Sequence, residues 1–317
     1  MAERQFTVSS SPHIRGNQTT QVIMRDVIIA LLPACVMGIL QYGIKAILLL
    51  AVGVATAVAS EYLAQKVMKR PITITDLSAA VTGLLLAMNV PVGCPWWVLA
   101  IGCVFAIVIV KQLFGGLGCN FINPALAARL FLVASYPTRM TGSAFIPAGE
   151  VTSAATAATL TSATPLVVGA EGTPLLDLFL GIGDIHGCIG EISSAALLIG
   201  FAYLLWRKVI TYRIPVVYMG TVAVFSLLAG QNVPFQLCAG GLMLGSIFMA
   251  TDYVTSPSTP LGEIIYAVGC GLMTCIIRFF GGYPEGVSYS ICFMNLVTPL
   301  LDKYIKAKKY GEVKKNA

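Results

Sequence analysis

The sequence predicts an all-α polytopic membrane protein with nine or ten transmembrane helices, and three observations predict it. Charged residues make up 11% of the chain against 57% hydrophobic, where a soluble domain carries about 25% charge. The apolar residues gather into runs near 22–42, 46–65, 77–90, 96–113, 119–134, 189–206, 214–229, 235–250, 262–280 and 287–305. The basic residues favour alternate connections between those runs. So few charges cannot cover a water-facing surface, so lipid is the expected solvent for most of the chain.

Residues 1–21 are polar and open with Glu3 and Arg4, which does not read as a cleavable signal. The first apolar run is therefore expected to act as its own insertion signal. A spanning helix needs about 20 residues, or about 17 at the short end. The runs at 77–90, 119–134 and 235–250 fall below that and are expected to be tilted, broken or re-entrant. Ten spans put both termini on one side, and 16 of the 20 Lys and Arg then share it. They include the clusters Lys66, Lys69, Arg70 and Arg207, Lys208, Arg213, and the tail from Lys303 to Lys315. That side is expected to be the cytoplasm of an inner membrane. The expected organisation is a cytoplasmic segment 1–21, a first membrane half 22–134, an extracytoplasmic loop 135–188, a second membrane half 189–305 and a cytoplasmic basic tail 306–317. Glu150, Glu171, Asp177 and Asp184 against Arg139 suit an outer loop.

Short echoes suggest two related halves. Gln65-Lys66-Val67 and Asn89-Val90-Pro91 return as Arg207-Lys208-Val209 and Asn232-Val233-Pro234, at offsets of 142 and 143 residues. Phe114-Gly115-Gly116 returns as Phe280-Gly281-Gly282. Repeats are common in transporters, with sites at their interface. The Ala/Ser/Thr stretch Ser153–Thr164 reads by composition as a flexible linker.

The chemistry-bearing candidates are few. No Walker loop, HExxH or GxSxG motif is present, and no βαβ pattern surrounds Gly115-Gly116-Leu117-Gly118 to make it a dinucleotide site. A charge of +6 in this distribution does not point to nucleic acid. Of the nine cysteines, Cys35, Cys103, Cys238, Cys270, Cys275 and Cys292 lie in apolar runs and read as small buried hydrophobes. Cys119, in a glycine-rich break, could instead meet a metal held by a partner; the chain itself offers no metal constellation. Two segments stand out. Thr161–Leu166 lies in the outer loop. Gly118–Arg129 interrupts an apolar region with Pro124 and sets Asn120, Asn123 and Arg129 beside the break. Polar groups at membrane depth are functional hypotheses by default, and the competing reading is hydrogen-bonded glue between helices. At a spacing of three, Asn120 and Asn123 are expected to share one helical face. Among the acids Glu61, Asp76, Asp252 and Glu263, Glu61 is expected to face water or pair with nearby Lys66, whereas Asp76 and Asp252 are candidates for ion coupling.

Over nearly its whole length the chain resembles the RnfD/NqrB family. The matching residues are Ser11-Pro12-His13-Ile14, Ala30-Leu31-Leu32-Pro33-Ala34, Asn123–Arg129, Thr251–Pro257 and Ser162-Ala163-Thr164-Pro165-Leu166. The resemblance implies the D subunit of the Rnf ferredoxin:NAD oxidoreductase, related to the B subunit of the sodium-pumping NADH:quinone reductase. It implies an FMN joined by a phosphoester to the Thr164 hydroxyl, installed by a flavin transferase. Here Ala158 stands where the motif often has an acid, and Ser162 where glycine is usual. It also implies a second, non-covalent flavin, riboflavin, at Asn120 and Asn123. The implied partners are the other Rnf subunits (A, B, C, E and G) and membrane lipid, in a translocase that moves Na⁺ or H⁺ and is inactive as one chain. The residues fit the attachment chemistry: threonine is a weak nucleophile, and no base adjoins Thr164, so a helper enzyme must activate it. A solute channel or secondary transporter with repeats is the alternative function, and a passive scaffold is a third. Flavin fluorescence on the denatured chain separates the first reading from the other two.

Overall fold

The computed structural model describes residues 19–141, 175–183, 187–281 and 285–306, and within them every regular element is a helix. Helix α1 spans Thr20–Tyr42 and starts where the Thr19 hydroxyl accepts from the Val22 N–H. It turns at Gly43 (φ +62°) directly into α2, Ile44–Val67. Then follow α3 (Ser78–Met88), α4 (Trp96–Val104), α5 (Pro124–Ser135) and α6 (Pro137–Met140). Next among the described residues come α7 (Leu175–Leu180), α8 (Ser194–Trp206), α9 (Arg213–Leu228) and α10 (Val233–Cys238). The chain ends through α11 (Leu242–Leu244), α12 (Pro260–Phe280) and α13 (Val287–Tyr304). Two helices widen into π-helix at their C-terminal ends: α4 over Phe105–Gln112, and α11 over Gly245–Met249.

Among the described residues α1, α2 and α12 are long and apolar enough to cross a membrane. The runs that the sequence marks as short are short here for a visible reason. Each begins or breaks at a residue that stops a helix. Asp76 accepts from the Ser78 N–H (2.9 Å) and hydroxyl (2.7 Å) to start α3. Asn123 and Pro124 start α5, and Asn232, whose side chain accepts from the Phe235 N–H, starts α10. A proline in the first turn forfeits only a donor that has no helical partner anyway.

Such breaks leave backbone groups that lipid cannot satisfy, and the fold pairs them internally. After α3, Pro91 bridges Cys188 in antiparallel fashion. The Gly190 N–H donates to the Met88 carbonyl at 2.8 Å, and Ile189 N–H to Val90 O at 3.4 Å. The segment leading into α8 thus closes the end of α3, whose residues are almost all buried. Around this centre α2 packs on α3 and α4, α9 packs on α12, and α1 packs on α8. Large apolar side chains such as Leu40, Ile44, Val67, Trp206 and Phe280 point outward, as a lipid-facing surface requires.

Helix contact in lipid depends on close packing of small residues. At the α2–α3 crossing Gly53 and Gly83 face one another, and a Cβ on Gly53 would lie 2.8 Å from the Gly83 carbonyl oxygen. Backbone meets backbone there, with nothing flexible to give way. Gly53→Val should therefore lower stability by about 1–3 kcal/mol through overpacking. Thermal unfolding of the detergent-solubilised chain checks this. Gly220→Ala, where a Cβ meets nothing within 4 Å, should leave the midpoint unchanged or raise it.

Candidate functional site

The interrupted helices enclose a cavity of about 290 Å³. Its walls are apolar side chains of α1, α3 and α8 together with Phe248. Among its polar groups, Asn120, Asn123, Thr251 and Asp252 come from irregular segments at the helix breaks, and Ser78, Thr82 and Lys111 from helices. A neighbouring hollow of about 480 Å³ shares Val209, Ile210, Thr251 and Tyr253 with it, and adds Lys208, Thr211, Arg213, Ser256 and Glu263.

Asn120 and Asn123 meet in this cavity, but not on one helical face. Both precede α5, because Pro124 is its first residue and the chain before it is irregular. That corrects the expectation drawn from their spacing. Asn123 is the N-cap: its Oδ1 accepts from the N–H of Ala125 (3.0 Å) and Leu126 (3.4 Å). Its Nδ2 donates to the Met249 carbonyl at 3.2 Å, at the end of the π-helix after α11. Both ends of that amide are engaged, so Asn123 acts as glue. Asn120 donates to the Ile122 carbonyl at 3.2 Å and lies within hydrogen-bonding reach of Asp252. Asp252 in turn accepts from the Thr255 hydroxyl (3.2 Å) and the Val254 N–H (3.5 Å). The Tyr253 hydroxyl donates to the Val209 carbonyl and fixes the loop between the two hollows.

Beneath the cavity lies an ion pair that sequence spacing does not reveal. Lys111 Nζ is 2.7 Å from Glu61 Oε1 and donates to Ser78 Oγ at 2.6 Å. Gln112 Nε2 adds a bond to the same Glu61 oxygen at 2.8 Å. Glu61 is 1% exposed and Lys111 2% exposed. Contrary to the expectation from its sequence neighbours, Glu61 neither faces water nor pairs with Lys66. Its side chain points inward from α2, and burial makes the more distant Lys111 its partner. A lysine within the apolar run 96–113 was the available signal. Breaking such a buried pair is costly because one charge is left uncompensated.

The remaining candidates scatter. Asp76 binds the Ser78 N–H and hydroxyl just ahead of α3. Glu263 pairs with Arg213 at 3.2 Å. Arg129, beside the break in sequence, does not line the cavity and bonds instead to Glu285 and Ser288. Cys35, Cys103, Cys270, Cys275 and Cys292 are buried and Cys238 is partly so, whereas Cys119 is exposed. Thr164, with the segment Thr161–Leu166, lies outside the described residues.

The model of the NQR2, RnfD, RnfE family matches residues 7–311. The D subunit of the Na(+)-translocating ferredoxin:NAD(+) oxidoreductase complex of Acetobacterium woodii is 53% identical, covering 100% of this chain and 99% of its own. The D subunit of the proton-translocating ferredoxin:NAD(+) oxidoreductase complex of Clostridium ljungdahlii is 43% identical, covering 98% and 99%. The D subunit of the ion-translocating oxidoreductase complex of Shewanella amazonensis is 36% identical, covering 96% and 98%. With these matches running end to end over a helical fold broken at Asn123-Pro124, the chain belongs to the NQR2, RnfD, RnfE family.

Proposed function

We propose that this chain is the flavin-carrying membrane subunit of an ion-translocating ferredoxin:NAD oxidoreductase complex. The observation that carries the reading is the 53% identity to the D subunit of such a complex across the full length of both chains. The chain then works with the other Rnf subunits (A, B, C, E and G) and helps couple electron flow to Na⁺ or H⁺ movement. It sits in the bacterial cell membrane as a multi-pass chain of nine or ten spans, with both termini in the cytoplasm. The order of packing supports two related halves, since α2 meets α3 and α4 much as α9 meets α10 and α12.

Two flavins belong to this reading. The first is FMN joined through its phosphate to Thr164, in the outer loop. The second is riboflavin in the cavity at the break before α5. The residues suit it: a flat, largely apolar ring fits the walls from α1, α3 and α8, and Asn120, Thr251 and Asp252 would meet its polar edge. Asn123 supports this end of the cavity through the cap it makes. The adjoining hollow offers Lys208, Thr211 and Ser256 to a hydroxylated side chain. A bound flavin supplies one- and two-electron redox chemistry, while the protein supplies position and electrostatics. Lys111, held by Glu61, places a positive charge at the cavity wall.

Three measurements test the reading. The tryptic peptide containing Thr164, from a host with the transferase, should carry the mass of FMN less one water. Thr164→Val should abolish in-gel flavin fluorescence while leaving membrane insertion intact; an unmodified Thr164 would sink the attachment. In a background lacking native cysteines, an impermeant thiol reagent on intact cells should label Ser143→Cys and spare Ser11→Cys. The reverse pattern would invert the topology. For the cavity, Asn120→Leu should lower retained riboflavin affinity about tenfold or more, the loss of one or two hydrogen bonds, with FMN still on Thr164. Asn123→Ser, which keeps a capping oxygen, should retain riboflavin far better. Undiminished riboflavin in Asn120→Leu would make that amide purely structural.

A further inference from the structure

One turn along α5 from Ala125, which lines the cavity, lies a second buried polar cluster. Arg129 donates through Nη1 to Ser288 Oγ at 2.6 Å, and its Nη2 pairs directly with Glu285 Oε2. The same Nη2 is 3.9 Å from Glu191 Oε1 and 3.8 Å from Cys188 Sγ. A second guanidinium, Arg278 of α12, donates to the backbone and side-chain carbonyls of Gln236 and to the Ala239 carbonyl. The four charges are thus unevenly matched. Glu285 has a guanidinium in direct contact, whereas Glu191, only 6% exposed, has none that close.

The Glu191 and Glu285 carboxyl groups lie within hydrogen-bonding reach of each other. Two carboxylates are both acceptors, so neither can donate to the other. One oxygen of each, Glu191 Oε1 and Glu285 Oε1, is buried with no hydrogen-bond partner. Orphan oxygens of this kind are expensive. A single proton between the groups turns the contact into a charge-assisted hydrogen bond. A metal cation there would sit beside two guanidinium groups, which oppose it.

We propose that Glu191 and Glu285 form a one-proton binding site, with Glu191 carrying the proton and donating it to a Glu285 carboxylate that Arg129 keeps ionised. Burial works to raise the Glu285 carboxyl, but the Arg129 guanidinium beside it prevails and holds it below the usual carboxylate range. The groups facing the pair are Arg129 from α5, Cys188 from the segment before α8 and Arg278 from α12, with Tyr218 of α9 behind Arg278. Gly241 walls the site, since a Cβ there would stand 2.8 Å from Glu191 Oε1. On release the Glu191 O–H bond breaks, the proton passes to water and the oxygen keeps the electron pair; no electron is exchanged. The four charges then go from one excess positive to balance, and uptake reverses this. The site joins α5 to the connections around α8, α10 and α12, so gain or loss of its proton acts on both halves of the chain.

Infrared spectroscopy of the full chain in lipid nanodiscs tests this site without reference to flavin. At neutral pH the wild type should show the C=O band of a buried protonated carboxyl that shifts in D₂O and disappears on alkaline titration. Glu191→Gln and Glu285→Gln should each abolish it, while Glu263→Gln leaves it in place. Cys188→Ser, which changes a neighbour of Glu191 and keeps both acids, should shift the band without removing it. A wild type with no such band overturns the proposal. So does a band that survives both glutamine variants, one that Cys188→Ser leaves unshifted, or one that vanishes when sodium replaces choline at constant pH.

Discussion

A single amide, that of Asn123, closes two interrupted helices at once. Its oxygen satisfies the first free N–H groups of α5, and its nitrogen satisfies the Met249 carbonyl where the π-helix after α11 ends. Helix ends have orphan donors and acceptors, and in lipid no water is there to take them. The break can exist at this depth because one side chain serves both ends. The cavity exists because the break does: Asn120, Thr251 and Asp252 reach it from irregular segments that a continuous helix would not supply.

The same logic runs through the rest of the fold. Where α3 stops, the segment before α8 lends it hydrogen bonds. Where α2 and α3 cross, paired glycines let backbones touch. Charges inside are held in groups: Glu61 with Lys111 under the cavity, and Arg129 with Glu285 and Glu191 across α5. Each group spans helices distant in sequence, so each couples segments that packing of apolar side chains alone would leave free to slide.

Much of this was legible in the sequence. Low charge and ten apolar runs gave the helical membrane architecture, and the Asn-Pro step gave the break and the cavity's position. Runs too short to span marked where helices are interrupted. The partners of buried charges were not legible. Glu61 is five residues from Lys66, but its ion-pair partner, Lys111, is 50 residues away. Sequence spacing describes neighbours on one helix, whereas that pairing was decided by which faces of α2 and α4 meet. For the same reason the spacing of Asn120 and Asn123 misled: helical periodicity applies only after Pro124. The short echoes align the end of α2 with the end of α8. The family itself was legible as a resemblance, whereas composition alone reads the stretch around Thr164 as a linker.

If this chain is an indispensable part of a redox-driven ion pump, removing it stops electron transfer and ion movement together. Membranes from the source cell with this chain deleted, and again with it restored, should be assayed for NAD reduction by reduced ferredoxin and for the ion gradient it builds. Both should be lost together on deletion and return together with the wild-type chain. Ferredoxin-dependent NAD reduction and ion uptake that continue undiminished without the chain would contradict that role.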